Sequence, residues 1–125
     1  MHGIQRPRSP YWIYRWEITM WLSSLHRITG LLLSLGAVVL AAWLIALASG
    51  PDAFATVAEI VGGAWFKPLL VGWTFCFFFH LANGVRHLTW DAGYGFDPKR
   101  IRASGRIVIV ATIVATAAFS YAAII

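Results

Sequence analysis

Three apolar runs set the pattern of this chain, and the polar residues fall between them. The first, "ITGLLLSLGAVVLAAWLIALAS" from Ile28 to Ser49, contains no charged side chain. The second extends from Ala64 to Ala82 and admits only Lys67 near its start and His80 near its end. The third, "IVIVATIVATAAFSYAAII" from Ile107 to Ile125, is again uncharged. Each approaches the ~20 residues that carry an α-helix across ~30 Å of hydrocarbon. Helix is the form required, because an open strand in lipid leaves backbone groups without partners. The pattern predicts an all-α membrane protein with three transmembrane helices, one transmembrane domain over residues 1–125. Its parts are an arm over 1–20 and helices over about 21–49, 64–90 and 104–125.

Composition excludes the soluble alternative. The chain is 59% hydrophobic and 12% charged, about half the ~25% charge of a soluble domain. Three buried helices of that kind would leave almost no polar sequence to cover them. A cleavable signal peptide does not fit either, since the first run starts late and is too long for an h-region.

The basic residues predict orientation. Arg6, Arg8, Arg15 and Arg27 precede or begin the first span, and Lys99, Arg100, Arg102 and Arg106 crowd the segment before the third. The connection "GPDAFATVAEIVGG" between the first two spans carries Asp52 and Glu59 but no Lys or Arg, and reads as a loop. Cytoplasmic ends collect Lys and Arg, so the N-terminus and the second loop are expected on the cytoplasmic side. Trp12, Tyr14, Trp16 and Trp21 at one boundary, and Trp90 and Tyr94 at another, suit the membrane–water interface. The net charge of +5 is therefore a matter of topology and not a nucleic-acid footprint. Cys76, the one cysteine, can form no intrachain disulfide and reads as a small hydrophobe.

Against this background the stretch "FFFHLANGVRHL", residues 77–88, calls for an explanation. His80 falls ten residues before Trp90, ~15 Å inside the boundary at 1.5 Å per residue. Gly84 and His87 follow at i+4 and i+7, on the same helix face. A deep imidazole, a position without a side chain and a shallower imidazole would suit a flat ring carrying iron at its centre and carboxylates at its edge. Neutral histidine binds haem iron axially, Gly84 admits a large ring to the helix backbone, and Arg86 or His87 could meet propionates. The competing role for His80 is a hydrogen bond to a neighbouring helix, but intramembrane ionisable residues are expensive and usually functional. Asn83 reads as interhelical glue. His26 could supply a second ligand from the facing helix, although its shallow position beside Arg27 suits the cofactor edge better.

"SSLHRITG", residues 23–30, forms a second constellation. Ser23 and Arg27 are neighbours at i and i+4, and a hydroxyl beside a guanidinium can bind a quinone carbonyl oxygen. The same spacing also suits an arginine reaching for headgroups and serines bonding their own helix. Gly30 followed by Ser34 makes a small-residue face for close helix contact.

Together, "SSLHRITG" and "HLANGVRHLTWD" resemble the cytochrome b556 subunit family of succinate dehydrogenase, respiratory complex II. Its pattern is Ser-x-x-His-Arg-x-Ser/Thr-Gly on the first helix and His-x-x-x-Gly-aliphatic-Arg-His-aliphatic-x-aromatic-Asp on the second. Both are met in full, ending on Trp90 and Asp91. The opening "RPRSPYWIYRW" is similar to the family's Arg-Pro-x-Ser-Pro arm but has Tyr11 and Trp12 where a histidine often follows.

The resemblance implies that His80 is an axial ligand of haem b, with the other ligand from a second small membrane subunit. It places His26, Arg27 and His87 around the propionates, and Ser23 and Arg27 at the ubiquinone site. FAD and iron–sulfur clusters would belong to two soluble partners, a flavoprotein and an iron–sulfur subunit. The complex would sit in the bacterial cytoplasmic membrane, or the mitochondrial inner membrane if organellar. A haemless or fumarate-reductase-type anchor would keep the quinone residues. A small transporter or channel subunit would need paired intramembrane acids or broken helices, whereas Glu17 and Asp91 sit only at the edges.

Overall fold

A computed structural model describes residues 16–124 of the chain. The arm residues Arg6, Arg8, Trp12, Tyr14 and Arg15, and with them the Arg-Pro-x-Ser-Pro segment, lie outside the described residues, as does Ile125. Four helices follow one another: α1 Ile18–Ser49, α2 Pro51–Gly62, α3 Lys67–Asp91 and α4 Pro98–Ala123. The described residues contain no strand. α1, α3 and α4 are long and apolar enough to cross a membrane.

Each boundary has a local cause. Gly50, at φ 115°, ends α1 in a conformation a side chain would resist, and Pro51 then opens α2 at a position needing no N–H. Pro68 lies in the first turn of α3, and Pro98 opens α4. The segment expected as a loop between the first two spans is therefore helical. Its 12 residues are too few to span a bilayer. They fold because Phe54, Val57 and Val61 share one side, half-buried, while Asp52, Thr56 and Glu59 stay exposed. Phe54 meets Trp43 of α1 edge-on, ring centroids 5.7 Å apart.

The last span begins at Pro98 rather than near residue 104, because Pro98 is a better start signal than the first apolar residue. The extra turns hold the exposed Lys99, Arg100 and Arg102, and they also bring Ile101 and Ser104 against α3.

The spans meet on a small core. Leu22 of α1, Phe79 of α3 and Val108 of α4 form its centre, with Ile18, Leu25, Phe75 and Ala82 packed around it. α4 turns Gly105, Val108, Thr112, Thr116 and Ser120 inward, a stripe of mostly small residues that permits close approach. Most large apolar side chains, such as Leu31, Leu35, Val38 and Ile45 on α1, remain exposed. These faces need cover from lipid or protein, as the hydropathy of the runs predicts.

Glycines carry the contact between α1 and α3. A Cβ on Gly36 would clash with the edge of the Trp73 indole, at Cε2 and Nε1. Gly36→Leu is accordingly expected to force the helices apart and to destabilise the bundle by about 1–3 kcal/mol. Gly72→Ala, where a Cβ would meet nothing within 4 Å, should cause no loss. Thermal unfolding of the two variants in detergent, compared with the parent, checks both statements.

Candidate functional site

His80 directly follows the core residue Phe79. It lies 13 residues after Lys67 and 11 before Asp91, roughly 17–20 Å from either end of α3. Its ring faces α1, where His26 lies against it. The two imidazoles are nearly parallel, with centroids 3.8 Å apart and planes inclined by 12°. His80 Nδ1 is 3.1 Å from the His26 carbonyl oxygen and 3.4 Å from Thr29 Oγ1. Gly30 sits beside the ring, and a Cβ there would come within 2.9 Å of His80 Cε1.

The helix face predicted from spacing is the one that meets His26. His87 lies 5.3 Å from it, centroid to centroid. At Gly84 a Cβ would contact His26 Cε1 at 3.8 Å, an ordinary van der Waals distance. The position without a side chain is thus opposite a histidine edge, and within this chain it would accommodate a methyl group.

Arg86 takes a different place from the one expected at a cofactor edge. A helix turns about 100° per residue, so Arg86 lies well off the His80–Gly84–His87 stripe and faces α4. It is buried, 6% exposed. Its Nε donates to Ser104 Oγ at 3.0 Å, one terminal nitrogen to the Ile101 carbonyl at 3.2 Å, and the other to Asn83 Oδ1 at 3.4 Å. The guanidinium also lies over the Trp90 ring at 4.0 Å, a favourable cation–π position. Burial of a charge is tolerable only with such partners. Asn83, fully buried, joins the network to α1 through Nδ2 and the Leu22 carbonyl at 3.5 Å, as its reading as interhelical glue anticipates.

Arg27 presents the contrary case. It is exposed and makes no hydrogen bond or ion pair with another described residue. Ser23, one turn earlier on α1, is half-buried and equally uncommitted. One arginine of the site region is spent on the fold, and the other has its donors available.

The donor set can be tested against a ring-bound iron. A carbonyl oxygen only accepts, so the contact with His26 requires the proton on His80 Nδ1. Nε2 then carries the lone pair, and it has no partner among the described residues. His26 Nδ1 is buried without a hydrogen-bond partner, the condition of a polar atom that awaits one. No group of three or more His, Cys, Asp or Glu among the described residues is arranged to hold a bare metal ion. A single imidazole can still serve an iron that brings its own macrocycle, so the residues fit that group with one ligand from this chain. His26 is not placed as the second ligand. Two axial ligands approach from opposite faces, whereas His26 lies flat against His80.

Sequence reasoning assigned no role here to Thr29 and credited Gly30 only with close helix packing. The signal was present in the final Thr-Gly of "SSLHRITG", but contact with His80 across 51 positions is visible only in the fold. Two apolar clefts of about 700 and 500 Å³, sharing Leu70 and Trp73, lie toward the other end of the bundle and include none of the histidines. Cys76 lines the larger one and is a buried free thiol.

Comparison with known proteins identifies the family. The family model described as succinate dehydrogenase/fumarate reductase transmembrane subunit matches residues 3–119. The succinate dehydrogenase cytochrome b556 subunit of Rickettsia felis is 40% identical over 113 residues, 90% of this chain and 88% of the relative. The cytochrome b556 subunit of Paracoccus denitrificans is 34% identical over 110 residues, covering 87% and 85%. The mitochondrial succinate dehydrogenase cytochrome b560 subunit of Sus scrofa is 34% identical over 120 residues, covering 91% and 69%.

Proposed function

Because this chain belongs to the succinate dehydrogenase/fumarate reductase transmembrane subunit family, we propose that it anchors a succinate:quinone oxidoreductase, helps bind haem b and forms part of the ubiquinone-reduction site. The observation that carries the reading is His80 itself, an imidazole midway along a helix long enough to span a membrane and held so that Nε2 has no partner among the described residues. Haem b, when bound, can take up and release one electron between the iron–sulfur subunit and quinone.

This chain's residues have separable tasks. His80 would hold the haem iron through Nε2. His26 and His87 would meet the cofactor's polar edge, His26 with a buried Nδ1 that has no hydrogen-bond partner. Arg86 holds α3 to α4 through Ser104 and Ile101, and so keeps the histidine face turned toward α1. Ser23 and Arg27 donate to quinone carbonyl oxygens and stabilise negative charge there as electrons arrive. Succinate chemistry, with FAD and iron–sulfur clusters, belongs to two soluble partners, and the second haem ligand to another small membrane subunit.

Charge supports the N-terminus and the α3–α4 connection facing the cytoplasm. Lys99, Arg100, Arg102 and Arg106 are all exposed, while α2 bears only acids. The membrane is then the bacterial cytoplasmic one, or the inner membrane of a mitochondrion.

A reduced-minus-oxidised optical spectrum of the detergent-purified complex tests the proposal. The b-type bands should appear in a preparation showing four subunits, two of them small and membrane-bound. A complex colourless in these bands would remove the haem and leave an anchor alone.

A further inference from the structure

The first-helix motif closes on Thr29 and Gly30, which have no part in the roles above. Thr29 is buried, 3% exposed. Its hydroxyl hydrogen goes to the carbonyl of Leu25 at 2.9 Å or of His26 at 3.0 Å. The oxygen can then only accept from His80 Nδ1, 3.4 Å away. The His26 carbonyl, at 3.1 Å from the same nitrogen, has no other option. Two acceptors from one turn of α1 therefore converge on one N–H and select one tautomer. Gly30 completes the seat, since its backbone lies where any Cβ would come within 2.9 Å of the ring. The contacts set the rotation of the neutral ring and place its proton on Nδ1.

We propose that Thr29 is a positioning residue for His80: with the His26 carbonyl it holds Nδ1–H and directs the Nε2 lone pair at haem iron. This rests on the reading of His80 as an axial ligand. An acceptor on the far nitrogen makes the imidazole a stronger donor. Stronger donation favours ferric over ferrous iron, so the Thr29 oxygen keeps the haem potential lower than it would otherwise be.

The test is potentiometric titration of the haem bands in purified complexes carrying Thr29→Val, Thr29→Ser or His80→Leu. Thr29→Val should retain haem with its midpoint potential moved upward, and Thr29→Ser, which keeps the oxygen, should titrate like the parent. Unmoved potentials in both, or equal shifts in both, would overturn the role of the hydroxyl. Thr29→Ala carries the same expectation as valine if the valine variant does not assemble. Failure of both alongside normal assembly of Thr29→Ser would make the hydroxyl structural and defeat the proposal. His80→Leu separates the premise from the inference. An unchanged spectrum there refutes the ligand assignment, whereas an altered spectrum with an unmoved Thr29→Val potential refutes Thr29 alone.

Discussion

His80→Leu should strip the assembled complex of its low-spin b-type spectrum, leaving it without haem or with haem in a one-ligand, high-spin form. Haem affinity should fall by at least the ~10–100-fold that loss of an outer-shell partner already costs a metal site. Leucine fills a similar volume but offers iron no lone pair, so the backbone should persist while the ligand goes. Neighbouring histidines are badly placed to compensate. His26 lies parallel to the ring it would replace, and His87 is on the same helix as His80, two turns nearer the boundary. The measurement is haem content per complex with the absorption spectrum. Full occupancy with unaltered bands would show that the iron is bonded elsewhere.

Arg27→Leu should separate two activities. Quinone reduction should drop on the order of 10–100-fold, since a hydrogen bond from a charged donor contributes about 1.5–3 kcal/mol and each 1.4 kcal/mol is tenfold. Succinate oxidation measured with a soluble acceptor should stay near the parent rate, because the proposed function assigns that chemistry to the soluble partners. The reason to single out Arg27 is its contrast with Arg86. Arg86 is buried with its nitrogens bonded to Ser104, Ile101 and Asn83, and it cannot turn to a substrate without abandoning them. Arg27 is exposed and uncommitted among the described residues. Ser23→Ala should behave similarly but more mildly, near the ~1 kcal/mol of a neutral hydrogen bond. Equal loss of both activities in the Arg27 variant would point to damaged assembly and refute a dedicated quinone role.

How far such residues could be read without coordinates depended on the range of the interaction. His80 stood out because an ionisable side chain inside an apolar run is costly wherever its partners lie. Its shared face with Gly84 and His87 followed from helical periodicity alone. Arg86 lies next to His87 in the chain, and adjacency suggested a common site. The helix rotates adjacent side chains apart, and only the early start of α4 at Pro98 supplied the partners that hold Arg86 on the other side. α2 is legible in principle, through Gly50-Pro51, Asp52 and the spacing of Phe54, Val57 and Val61, but its 12 residues are too few to stand out beside three span-length runs.

The amino-acid sequence by itself determined that three segments are long and apolar enough to cross a membrane, which ends are basic and which imidazole falls inside an apolar run. These properties follow from hydropathy and from the 1.5 Å rise and 3.6-residue turn, all local to one segment. Tertiary structure alone decided that the His26 carbonyl and Thr29 grip Nδ1, that Gly30 makes room for that ring, and that Arg86 belongs to the fold. Such contacts join residues many positions apart through helix azimuth and stagger, which depend on how side chains of different helices interlock.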